Sequence, residues 1–217
     1  MKTTKSLFLT LALALTGTFA FAQNGTITGS AHDFKAEGWS GGEICKVCHT
    51  PHNALHSDQG APLWDHLVTT ETFTPYADTG TLDATVGVPT GTSKLCLSCH
   101  DGVTNVDAFG GDAGTGNIST LFTGTTASLG VNLTTHHPIS LTYNATLATT
   151  DGGLHNPTTT DSGITAQIDD DMLFGTGNDQ LECASCHDVH NNGPSGVSFL
   201  LVKTNADSAL CLTCHNK

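Results

Sequence analysis

Eight cysteines and four of the twelve histidines fall into one repeated pattern, Cys-x-x-Cys-His. The copies are Cys45, Cys48 and His49; Cys96, Cys99 and His100; Cys183, Cys186 and His187; and Cys211, Cys214 and His215. Residues i, i+3 and i+4 share one side of a helical turn. Two thiols so placed can form thioethers with the vinyl groups of one haem while the histidine meets its iron, which is the c-type attachment signature. Zinc knuckles also pair C-x-x-C units, and disulfides also consume cysteines. Neither asks for a histidine directly after the second cysteine, and four chance histidines would have a probability of about 10⁻⁵ from composition alone. The expected cofactors are therefore four covalent haem c groups, with His49, His100, His187 and His215 as proximal iron ligands.

Positioning these groups needs a scaffold, and the rest of the chain supplies little apolar material. Of 217 residues 24 are glycine and only 6% are aromatic, with long Thr-, Ser-, Asn- and Asp-rich stretches. Without cofactors much of it reads as loop. The expected fold is mostly irregular and loop-rich, with short helices at the motifs, few short β-strands and a core built on four stacked haems. Residues 1–22 read as a secretory signal: Lys2 and Lys5, an apolar run over 7–15, then Ala20-Phe21-Ala22 as cleavage site. That run is too short for a transmembrane helix, which needs about 20 residues. Residues 23–217 then form a single domain: a haem pair over 45–100, a Gly/Thr/Asp-rich insertion over 102–182 expected to hold β-rich loops, and a second haem pair over 183–215. The 69–88 stretch suits short edge strands or loops.

Losing Lys2 and Lys5 moves the formal charge from −13 to −15. Such a field makes nucleic acid and anionic membrane surfaces poor partners.

The repeat unit is a haem pair. Motifs one and three continue as Cys-His-x-x-His, giving His52 and His190, and motifs two and four are preceded by Ser93-Lys94-Leu95 and Ser208-Ala209-Leu210. His52 lies on the same side of its haem as His49, so it can reach only the iron of a neighbouring haem; the same holds for His190. Eight histidines remain for distal positions against one methionine beyond the signal, Met172. The expected distal ligands are His32, His52, His137 and His190, with His66 in reserve, His136 as rival to His137, and His56 and His155 at the surface. Bis-histidine iron has a lower potential than His/Met iron. It also has no open position for substrate, which points to electron transfer rather than catalysis.

The runs Ala31-His32-Asp33-Phe34, Cys45–Asn53, Pro62-Leu63-Trp64, His137-Pro138-Ile139, Cys183–Asn191 and Ala209–Lys217 resemble those of a family of secreted multihaem cytochromes. Within it the chain is most similar to tetrahaem outer-surface cytochromes that polymerise into extracellular filaments. The resemblance spans nearly all of residues 23–217. It implies alternating stacked and T-shaped haem pairs, a haem chain continuous between head-to-tail copies, and one distal histidine supplied by a neighbouring subunit, for which His32 is the candidate. The implied partners are a second copy of the chain, electron-donor cytochromes and extracellular acceptors, at the cell surface. Two alternatives share the motifs: a soluble periplasmic shuttle, and a multihaem reductase with one open iron.

Overall fold

The computed structural model describes residues 26–54, 61–76, 80–194 and 198–217. The signal reading over 1–22 and the surface position expected of His56 lie outside the described residues. Regular structure is sparse. Among the described residues the helices are α1 (Gly91–His100), α2 (Ile118–Leu121), α3 (Ala145–Asp151), α4 (Ile168–Met172) and α5 (Cys211–Cys214). The strands β1 (Leu141–Thr142) and β2 (Gln180–Leu181) pair antiparallel, Leu141 opposite Leu181. Isolated backbone bridges stitch the loops together, so the loop-rich expectation holds.

The motifs divide between two local structures. The second lies wholly within α1 and the fourth spans α5, whereas the first and third form single 3₁₀ turns, Cys45–Val47 and Cys183–Ser185. Helix α1, the longest element among the described residues, is buried at Ser93, Leu95, Leu97 and Ser98. Leu97 packs with Phe73 and Leu133 in a small apolar cluster. Ser98 Oγ accepts from Thr69 N–H (2.9 Å) and donates to Lys94 O (2.8 Å). The helix stops at Asp101, whose 1%-exposed carboxylate accepts from Thr69 Oγ1, Thr104 Oγ1 and the N–H groups of Val103 and Thr104 at 2.7–2.8 Å. One acidic side chain thus ends the helix and pins two loops to it, satisfying donors that burial would otherwise strand.

The insertion corrects the β-rich expectation. It holds three short helices and one antiparallel pair of two-residue strands. Asn117 Oδ1 accepts from Ser119 and Thr120 N–H, and Asn144 Oδ1 from Thr146 and Leu147 N–H. Asparagine at such positions nucleates a helix rather than a strand. The larger apolar cluster, Leu141, Tyr143, Ala148, Ile168, Met172, Leu173 and Leu210, joins the insertion to the last motif. Met172 is 1% exposed inside it, so its thioether serves packing. The described residues of the 69–88 stretch are loop, and among them one bridge joins Thr74 to Asn132.

Candidate haem sites

The first and third motifs are built alike. After each turn the chain leaves as His-x-x-His-Asn, with Asn53 and Asn191 both left-handed (φ 58° and 57°). A later segment then returns antiparallel to the motif. Thr50 N–H donates to Leu63 O and Asp65 N–H to Cys48 O; in the second unit Asp188 N–H donates to Leu200 O and Val202 N–H to Cys186 O. Leu63 and Leu200 share another left-handed bend (φ 56° and 54°). The bend aims a carbonyl at the motif histidine: His49 Nδ1 is 2.8 Å from Pro62 O, and His187 Nδ1 is 2.8 Å from Phe199 O. His100 Nδ1 is 2.7 Å from Ala127 O. A carbonyl only accepts, so in each case Nδ1 carries the proton and the Nε2 lone pair is left for a metal. His215 is set instead by its backbone, with His155 N–H on Cys214 O and Asn216 N–H on Gly153 O, both 2.8 Å.

Three of the four motif histidines face a second histidine. His32 lies opposite His100 with ring centres 6.0 Å apart, His190 opposite His49 at 6.2 Å, and His137 opposite His215 at 6.3 Å. A metal–imidazole bond is about 2.0 Å, and each ring centre lies about 1.1 Å further out, so two imidazoles sharing one metal stand roughly 6.2 Å apart. Aromatic neighbours also occur at such distances, but each of these pairs joins one motif histidine to one histidine from the expected distal set. His137 Nδ1 is 2.9 Å from Pro138 O, which again leaves Nε2 for a metal. Burial, then the charges of His100 and His187, hold His32 down to about 4. It is neutral at pH 7, as a ligating imidazole must be. Its buried Nδ1 has no hydrogen-bond partner, nor has that of His136. His52 occupies in the first unit the place His190 occupies in the second, and both His52 and His187 are exposed.

Three placements bear on the sequence reading. His32 faces His100 of its own chain rather than reaching outward. His66, the reserve, is fully buried, with Nδ1 2.8 Å from Leu67 O and Nε2 3.3 Å from Val106 O and 3.4 Å from Cys99 Sγ. Backbone carbonyls claim that ring. His155 is half-buried rather than at the surface.

All eight cysteines are unpaired. Burial pushes the thiols of Cys48, Cys186 and Cys214 up, to about 12, 11 and 11. Sulfurs of successive motifs are neighbours: Cys96 lies near Cys183, Cys99 near Cys48 and Cys186 near Cys214. Among the described residues no group of three or more His, Cys, Asp or Glu gathers as a bare ion requires. The histidines meet in twos.

Residues 176–217 match a family model described as a doubled CXXCH motif. The paired motifs are those of a multihaem c-type cytochrome. They indicate covalently bound haem c, a cofactor whose iron carries electrons. No curated protein matches the chain. No helix among the described residues of this cytochrome is long and apolar enough to cross a membrane.

Sequence reasoning missed the carbonyls of Pro62, Ala127 and Phe199, because a backbone acceptor has no residue signature. It also missed Glu182, a 3%-exposed carboxylate directly before the third motif. Burial pushes its carboxyl up, opposed by hydrogen bonds from Ser93 and Ser140.

Proposed function

We propose that the chain is a tetrahaem electron-transfer cytochrome in which every iron has two histidine ligands. The observation that carries this is the set of three facing histidine pairs at 6.0–6.3 Å. His49 and His190 hold the first haem, His100 and His32 the second, and His215 and His137 the fourth. The shared construction of the first and third motifs supports His52 as the partner of His187 at the third. The two units then exchange distal ligands, so neither haem of that central pair is complete without the other unit. With both axial positions filled, no iron offers a site for substrate, and the protein is not an enzyme.

For assembly, the resemblance to filament-forming cytochromes supports an exported protein that joins head to tail into an extracellular conducting polymer. A heterologous contact that does not close on itself builds such an open helix. The placement of His32 favours a second reading, a self-contained periplasmic shuttle, because all four irons are then served within one chain. Electron microscopy of material shed by expressing cells separates the two. Filaments containing this chain are expected; haem-loaded protein found only as dispersed particles would establish the shuttle.

A further inference from the structure

The two halves of the molecule meet where α1, carrying the second motif, packs on the Cys183–Ser185 turn of the third. Glu182 stands at that joint. Ser93 N–H, in the first turn of α1, donates to Glu182 Oε2 (3.3 Å), and Ser140 Oγ donates to the same oxygen (2.9 Å). Ser140 Oγ in turn accepts from Thr90 N–H (3.0 Å), just before the helix. In the other direction Cys183 N–H donates to Ser93 Oγ, and Glu182 N–H to Ser185 Oγ, both at 2.9 Å. Gly91 makes room: a Cβ there would sit 3.0 Å from Glu182 Oε1, on a backbone with φ +48°. The outcome is that α1 and the Cys183–Ser185 turn, one haem-bearing element from each half, are packed together, with Cys96 and Cys183 near one another.

The first unit shows that the attachment turn itself does not require this. There Ile44 and Val47 stand where the third motif has Glu182 and Ser185, and the turn forms regardless. Ser208, which precedes the fourth motif as Ser93 precedes the second, is exposed, whereas Ser93 is fully buried. The Glu182–Ser93 pair is therefore specific to the contact between the second and third motifs.

We infer that Glu182 is a positioning residue for electron transfer between the two halves, holding the second attachment motif against the third and so fixing the separation of the haems those motifs would carry. The inference rests on the tetrahaem reading above. Electron tunnelling falls off steeply with separation, so a joint fixed by buried hydrogen bonds sets the rate of this step. Glu182→Leu removes the acceptor for Ser93 and Ser140, Ser93→Ala removes the hydroxyl that accepts from Cys183 N–H and that bonds Glu182, and Glu182→Gln keeps an acceptor oxygen in place. Laser-flash electron injection reads the rate of equilibration between haems, and spin resonance of the oxidised protein reads the magnetic coupling of the second and third irons.

Glu182→Leu and Ser93→Ala are expected to slow equilibration by at least about tenfold, given how steeply a misplacement near 1 Å acts on positioned groups. They should also weaken the coupling while four low-spin haems remain, and Glu182→Gln should restore both. Wild-type rate and coupling in Ser93→Ala and in a haem-replete Glu182→Leu would overturn the inference and leave the tetrahaem reading intact. A Glu182→Leu chain that fails to mature leaves the decision to Ser93→Ala. A wild-type protein lacking four low-spin haems would overturn the reading itself.

Discussion

Replacing His190 with alanine is expected to open the haem held at Cys45 and Cys48, and to leave the haem at Cys183 and Cys186, beside it in sequence, six-coordinate. The His190 ring faces His49 at 6.2 Å with planes 19° apart. His187, three residues earlier, is held separately, by its Nδ1 bond to Phe199 O. The variant should take up about one carbon monoxide per chain when reduced and show about one high-spin haem when oxidised, because an axial position has been vacated. Adding Cys45→Ala and Cys48→Ala removes the haem that carries the vacancy, so carbon monoxide binding should disappear. Binding that persists in that background would place the vacancy on another haem. His52→Ala should behave reciprocally, opening the haem at Cys183 and Cys186.

The chain made without its haems is expected to be unfolded. Among the described residues the buried apolar side chains gather into one cluster of seven and another of three, with a few more scattered outside them, while most of the described backbone is loop. Ordering each residue costs about 1–2 kcal/mol of conformational entropy, and so little buried side chain does not offset that over the whole domain. Haem faces between the motifs would supply the missing interior. Expression in a cytoplasm without the haem-attachment machinery should give protein with a coil-like far-ultraviolet circular dichroism spectrum and no cooperative thermal transition. A sharp transition with native helix content would show that the side chains alone suffice.

The chemistry was legible because covalent attachment demands particular residue types at fixed spacing. The four motifs and the extra histidines His52 and His190 are visible in the letters alone. The loop-rich fold was legible too, from glycine and the scarcity of aromatic residues. Which histidine faces which was not, because those contacts join distant segments: His32 meets α1, and His190 meets the first motif. His32 looked free to reach outward on a polar lead segment. In the structure its ring lies among His100 and Phe34, and burial of that imidazole decides its place. The insertion misled because threonine and glycine suggested strands, while Asn117 and Asn144 capped helices. Glu182 was passed over because an acidic residue in an acidic chain carries no pattern, and its role lies in partners 42 and 89 residues away.

Four irons, each held by two histidines, form the central claim, and spin resonance of the fully oxidised, matured protein quantified per chain tests it most directly. The expected result is four low-spin ferric haems and no high-spin signal above trace. A stoichiometric high-spin haem, or two or fewer haems on a fully matured chain, would contradict it.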